Sequence, residues 1–289
     1  MRFTRSVAGI LSAFAAAALL SGCAGTCGVA STGTTLEYRM DEGRALAYRQ
    51  TSHMIQTMDV RGQSVPVESN EVLEFSLLPG ETSGGLLRLG VTIDDVSVVA
   101  TAPQGSVEAD VADALGRSFD MTLSVIGEEG GLPDSETLVY TLEPQGDRSL
   151  IPMFGSMFPD LPGHPVDVGD TWPSTITMED DTGDTELRIT IDAVNTLEGF
   201  EEHGGHDCAR ISAVLTGVIE GSGSQEGADW SMFSETEGTG IWHFAHREGI
   251  LVSDVTEGTA SGSITVDAPN GEIEIPVTRT YTMSTELIE

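Results

Sequence analysis

Long stretches of the chain keep a two-residue rhythm. Leu87, Leu89, Val91 and Ile93 alternate with polar or small residues, as do Phe119, Met121, Leu123 and Val125, and again Leu187, Ile189, Ile191 and Ala193. Successive side chains of a strand point to opposite faces, so each run predicts a strand with one buried face. Between the runs stand Pro79-Gly80, Gly130-Gly131, Asp181-Thr182-Gly183, Gly221-Ser222-Gly223 and Asn270-Gly271, all read as turns. The last, between SITVDA and EIEIPV, is a two-residue hairpin signal. Strands follow one another through short links with no regular helix between them. That favours antiparallel pairing, because parallel neighbours need a long crossover.

Two segments depart toward helix. Val107, Val111, Ala114 and Leu115 recur at helical spacing behind Ser106 as an N-cap and before Gly116 as a stop, which predicts a short amphipathic helix. The second is SLIPMFGSMFPDLP, where Leu150, Ile151, Met153, Phe154, Met157 and Phe158 leave almost no polar face. A segment apolar all round must be covered, or must itself cover something apolar.

The beginning of the chain has a different character. Arg2 and Arg5 precede a mostly apolar run from Val7 to Leu20, too short to span a bilayer as a settled helix, and small residues follow it. Leu20-Ser21-Gly22-Cys23 resembles the lipobox of bacterial lipoproteins. The resemblance implies that residues 1–22 are a signal peptide and that Cys23 carries the lipid anchor. It also implies a cell-envelope location. Ala24, where an Asp would mark inner-membrane retention, implies the outer membrane, facing periplasm or exterior. Residues 23–35 are small and polar and read as a flexible tether; residues 36–289 read as a single β-rich domain.

Removing residues 1–22 leaves 11 arginines against 46 Asp plus Glu, and there is no lysine anywhere. So negative a field repels phosphate backbones, which argues against a nucleic-acid partner. The absence of lysine also excludes a P-loop lysine, a Schiff base and a Ser-Lys nucleophile. No G-x-S-x-G, H-E-x-x-H, G-x-G-x-x-G or EF-hand spacing occurs, so the chain is read as non-catalytic and without a cofactor.

With Cys23 lipidated, Cys27 and Cys208 remain, and in an oxidising compartment they either pair or stay as two free thiols. The histidine pairs His203/His206 and His243/His246 imitate metal-ligand spacing. Residues three apart on a strand face opposite ways, so His243 and His246 do not converge. His206 and Cys208 share a strand face, but no metal role is assigned to them. Gly169-Asp170-Thr171-Trp172 reads as a turn into a strand with Trp172 buried.

Three further patches, LEYRMDEGRALAYRQ, FPDLPGHPVDVGDTW and GTGIWHFAHREGILV, resemble an uncharacterised family of bacterial lipoprotein domains. The architecture this implies is a strongly curved antiparallel sheet, a half-barrel similar to the Lol lipoprotein carriers, with one or two short helices on its concave side. The hollow of those carriers binds acyl chains. By that resemblance Met153, Phe154, Met157 and Phe158 lie in or over the hollow, either lining it for an apolar ligand or plugging it as core. Two functions follow. One is a lipid-anchored binding module whose partners are the membrane and a lipid or other apolar ligand. The other is an interaction protein with a filled core that works through its acidic surface.

Overall fold

The computed structural model describes residues 33–288 except Arg61, Pro144, Gln145, Gly183, Asp184, Glu226, Gly227, Pro269 and Asn270. The expected signal peptide, Cys23 and Cys27 lie outside these. The described strands are β1 (Leu46–Val60), β2 (Gln63–Ser83), β3 (Leu86–Ala102), β4 (Gly105–Glu108), β5 (Ser118–Ser124), β6 (Glu129–Gly130), β7 (Val139–Leu142) and β8 (Gly146–Ser149). One helical turn, α1 (Ile151–Phe154), separates these from β9 (Thr171–Thr182), β10 (Thr185–His203), β11 (His206–Gln225), β12 (Ala228–Ala245), β13 (Ile250–Ala268) and β14 (Gly271–Leu287).

Twelve strands form one antiparallel sheet in the order β6-β5-β3-β2-β1-β14-β13-β12-β11-β10-β9, with β4 added to β3, while β7 and β8 pair separately. The sheet is two meanders, joined where β1 runs beside β14 from Tyr48↔Leu287 to Met58↔Val277. It curls into a half-barrel, with α1 on the side that carries the core. Small residues make that curvature possible. On β13 the concave positions include Gly258, Ala260 and Gly262. A Cβ at Gly258 would fall 2.5 Å from the Tyr281 hydroxyl, and one at Gly262 would collide with the Phe233 carbonyl and Ser234.

One end of the concave face is closed. Tyr48, Phe75, Leu89, Val91, Met121, Ile211 and Phe244 rise from the sheet, and Leu36, Tyr38, Ile151, Phe154, Met157, Phe158, Leu161 and Val166 come down on them. The Phe154 ring stands edge-to-face on Phe75 at 5.2 Å and on Phe119 at 5.1 Å. Tyr38 does the same between Phe158 and Phe244. The polar atoms in this packing are matched: the Tyr38 hydroxyl donates to the Pro159 carbonyl, Tyr48 to that of Leu251, and the Trp172 indole to that of Asp160. Trp172 is buried at the start of β9, as expected from the turn before it.

Three local expectations are corrected. The amphipathic helix at Val107–Leu115 is absent. Gly105, at φ +140°, turns the chain back so that β4 pairs with β3, and only a single turn closes on the Val111 carbonyl before Gly116. Val107 and Leu115 are exposed, while Ala114 is buried in the core and Val111 packs against it, so only half of the expected apolar stripe is used. Pro79-Gly80 and Gly221-Ser222-Gly223 are not turns but lie inside β2 and β11. The first marks a register shift; the second makes room, since a Cβ at Gly221 would touch the Met232 and Trp230 side chains. Finally, Thr34, assigned to the tether, exchanges two backbone hydrogen bonds with Val166, so the folded body reaches back at least to that residue.

Candidate ligand-binding face

Of the four residues expected at the hollow, Phe154, Met157 and Phe158 are buried in the closed core and Met153 is half-buried against it. This segment is a plug. Glu129 pins it by accepting the Phe158 backbone N–H at 2.8 Å, and burial pushes the Glu129 carboxyl up to about 7 despite that bond.

Beyond the plug the same face of the sheet continues to the far hairpins. Strand register brings together Met178 of β9, Ile189 and Ile191 of β10, Ile219 of β11, Trp230 and Met232 of β12, Ile264 of β13, Ile275 of β14, and Met54 and Met58 of β1. All are half-buried, and at its edge the plug reaches this set, Ser156 donating to the Met178 sulfur at 3.1 Å. The positions between them, on the convex face, include Glu179, Glu186, Glu220, Asp229, Glu235, Glu257, Asp267 and Glu274, most of them exposed. The far part of the sheet is therefore more apolar on its concave side and largely acidic on its convex side, where Ile55 and Phe233 are the exposed apolar exceptions among these strands' far ends. Methionine suits a surface that must accommodate a guest, because its unbranched thioether repacks at small cost.

A few polar groups interrupt the apolar face. Over the glycines of β13, the Tyr281 hydroxyl reaches Thr236 of β12 at 3.1 Å, and Thr236 donates to the Thr259 carbonyl. Arg279 donates through Nε to Gln56 at 2.6 Å and through Nη2 to the Met232 sulfur at 2.9 Å. Where the open face meets the plug, burial raises the carboxyls of Glu71 and Asp254, the latter to about 7 even though Thr256 bonds to it.

The convex face carries a second constellation that sequence spacing did not reveal. His203, at the end of β10, stacks flat on His243 of β12 with centroids 3.8 Å apart. The Ser253 hydroxyl bridges His203 Nε2 and His243 Nδ1 at 3.0 Å each, and His243 Nε2 meets Glu201 Oε1 at 2.9 Å. One proton assignment satisfies these three contacts with both rings neutral: His203 donates to Ser253, Ser253 to His243, and His243 to Glu201. Burial and the facing His243 ring lower the His203 pKa, in keeping with that state. The composition is that of a hydrolytic triad, but Ser253 is only 7 % exposed and both rings occupy its hydroxyl. The network fastens the β10–β11 hairpin to β12 and β13. His206 instead faces Glu248, and His246 lies beyond the end of β12 against Phe200.

Cys208 is fully buried with a free thiol, which donates weakly to the His203 carbonyl; burial raises its pKa to about 11. Among the described residues no cluster of three or more His, Cys, Asp or Glu is arranged to hold a metal ion. Nor is any described helix long and apolar enough to cross a membrane.

No family model and no curated protein matches the chain. Solved structures that resemble it include Pseudomonas aeruginosa OccK2 (OpdF), 8 % identical over 86 % of this chain and 100 % of that one, with a TM-score of 0.26. Pseudomonas aeruginosa OccK11 (OpdR) is 10 % identical over 88 % and 100 %, with a TM-score of 0.22. Acinetobacter baumannii OccAB4 is 7 % identical over 86 % and 99 %, also at 0.22. Nothing about function follows from likeness this low.

Proposed function

We propose that the chain is a lipid-anchored, non-catalytic envelope protein whose concave face holds an acyl chain or another apolar ligand. The observation that carries this reading is the opposition of the two faces beyond the plug. Met54, Met178, Trp230, Met232 and Ile264 are half-buried on one side, against an acidic other side. Apolar surface left against water forfeits roughly 25 cal/mol per Å2, so a continuous apolar concavity is stabilised by whatever fills it. Cys23, ahead of the folded body, would hold that concavity close to a membrane. The acidic convex face supports the second reading, contact with a cationic partner.

The test uses the full chain exported from a bacterium with an outer membrane, as wild type and as Cys23→Ser. Incorporation of labelled palmitate into the wild type alone establishes the anchor; equal labelling of the variant removes it. The unanchored chain is then purified without detergent and its organic extract examined by mass spectrometry. Lipid near one-to-one stoichiometry, lost in Met232→Glu, supports the binding face. No lipid and no uptake of a fluorescent fatty acid would leave the acidic-surface reading.

A further inference from the structure

The concave face contains a cation that no carboxylate among the described residues pairs with. Six arginines, Arg44, Arg49, Arg88, Arg188, Arg210 and Arg247, lie within 4.0 Å of a carboxylate, as expected in so acidic a chain. Among the described residues Arg39, Arg117, Arg148 and Arg279 make no such pair; of these Arg279 is the one half-buried at the middle of the open face. Its neighbours across the register are Gln56 and Ala260. Its hydrogen-bond acceptors are the Gln56 amide and the Met232 thioether, and a thioether is a weak acceptor. Burial lowers its pKa with no acid beside it to oppose the effect.

A guanidinium has five N–H donors in a planar fork, and here only two bonds use it. A buried charge is stable only when paired and hydrogen-bonded. The remaining donors lie on an apolar surface that extends eight residues along β14 from Arg279 to Gly271, about 26 Å at ~3.3 Å per residue. That length accommodates an extended long-chain tail. Resting on the acyl-binding reading above, we infer that Arg279 is a head-group site, and that the ligand of the concave face is a long-chain fatty acid bound through its carboxylate. A planar carboxylate matches the guanidinium fork two bonds at a time and cancels its single charge.

The experiment compares palmitate with uncharged methyl palmitate on the full Cys23→Ser chain at about pH 8, where the fatty acid is ionised. Binding is followed by calorimetry and by the emission of Trp230, which is half-buried on the concave face. Trp172 and Trp242 are packed on each other in the core and supply a constant background. Wild type is expected to favour palmitate by about tenfold or more, the ratio that ~1.4 kcal/mol gives. Arg279→Gln is expected to abolish the preference while still binding methyl palmitate, and Arg279→Lys to restore part of it. Equal binding of both ligands by wild type would overturn the head-group assignment and leave the acyl face standing. Binding of neither would overturn the acyl face itself. Because the two-ligand comparison is made on wild type, it decides the matter even if Arg279→Gln does not fold.

Discussion

At the plugged end of the concave face, rings of the sheet meet rings from outside it: Phe75 meets Phe154 and Phe244 meets Tyr38. At the open end, Met54, Met232 and Ile264 come from the same sheet and the same face, and the plug does not cover them. The strand pattern is identical in both. What differs is the segment from Leu138 to Val166, whose buried apolar residues pack against one end and which touches the other at Met178, through the Ser156 hydroxyl. An alternating strand thus offers an apolar face, and some other part of the system decides whether it becomes core or contact surface. Tight packing at one end and adaptable thioethers at the other are the physical form of that division.

The largest expected effect lies at the closed end. Phe154→Ala removes a ring held edge-to-face by Phe75 and Phe119 and leaves a cavity, so urea unfolding should show a loss of about 3–5 kcal/mol. A loss under about 1 kcal/mol would mean that the plug lies loosely over the hollow and that the two ends are alike.

The boundary between the ends should be readable in pH. Asp254 ionises near 3.8 when unfolded and near 7 in the fold, so the folded state binds the extra proton across that window. Its favourable contribution is complete below about pH 4 and is lost as the pH rises through about 7, at about 1.4 kcal/mol per pH unit between. Asp254→Asn should reduce this slope and leave the like contribution of Glu129, whose carboxyl is also held up to about 7 by burial. His203 on the convex face acts with the opposite sign. Its pKa is lowered, so the unfolded chain binds more protons, and stability falls as the pH drops below about 6.5. His203→Gln should remove that acid-side loss and leave the Asp254 slope unchanged. A variant that altered both slopes would show that the two faces are coupled.

Curvature comes next. Gly262→Ala sets a methyl group against the Phe233 carbonyl and Ser234, and the backbone shift should cost roughly 1–3 kcal/mol in denaturant unfolding. It should also weaken uptake of a fluorescent fatty acid, because a flatter sheet has a shallower concavity. Lost stability with unchanged uptake would separate curvature from the binding face.

Much of the fold was legible because alternation is a strong local signal. Leu87 to Ile93 and Leu187 to Ala193 are strands with the expected inner faces, and antiparallel order followed from short links. Glycine misled where its purpose was space rather than a turn: Gly221 lies inside a strand because Trp230 and Met232 lie over it. The candidate face was illegible for a related reason. Met153, Phe154, Met157 and Phe158 lie close together in sequence, whereas Met54, Met178 and Met232 are on separate strands. Only the register assembles such residues, and no spacing in one chain encodes it. The His203–His243 stack escaped for the same cause, since its rings belong to β10 and β12, which flank β11 in the sheet.

The smallest expected change in stability is the most informative one. Met232 is half-buried on the open face, with its sulfur accepting from Arg279 and its methyl lying over Gly221. Met232→Ala should cost under about 1 kcal/mol, as for a surface position away from a packed core. The same change should weaken fatty-acid uptake, since a contacting side chain is lost and no packed neighbour collapses into its place. If Met232→Ala instead destabilises the chain as Phe154→Ala is expected to, Met232 belongs to a core. The open end would then require a permanent cover, such as a partner chain, in place of an exchangeable ligand. A small loss of stability with a large loss of uptake would keep the two ends distinct: one face, closed by its own chain where Phe154 sits and left for a guest where Met232 does.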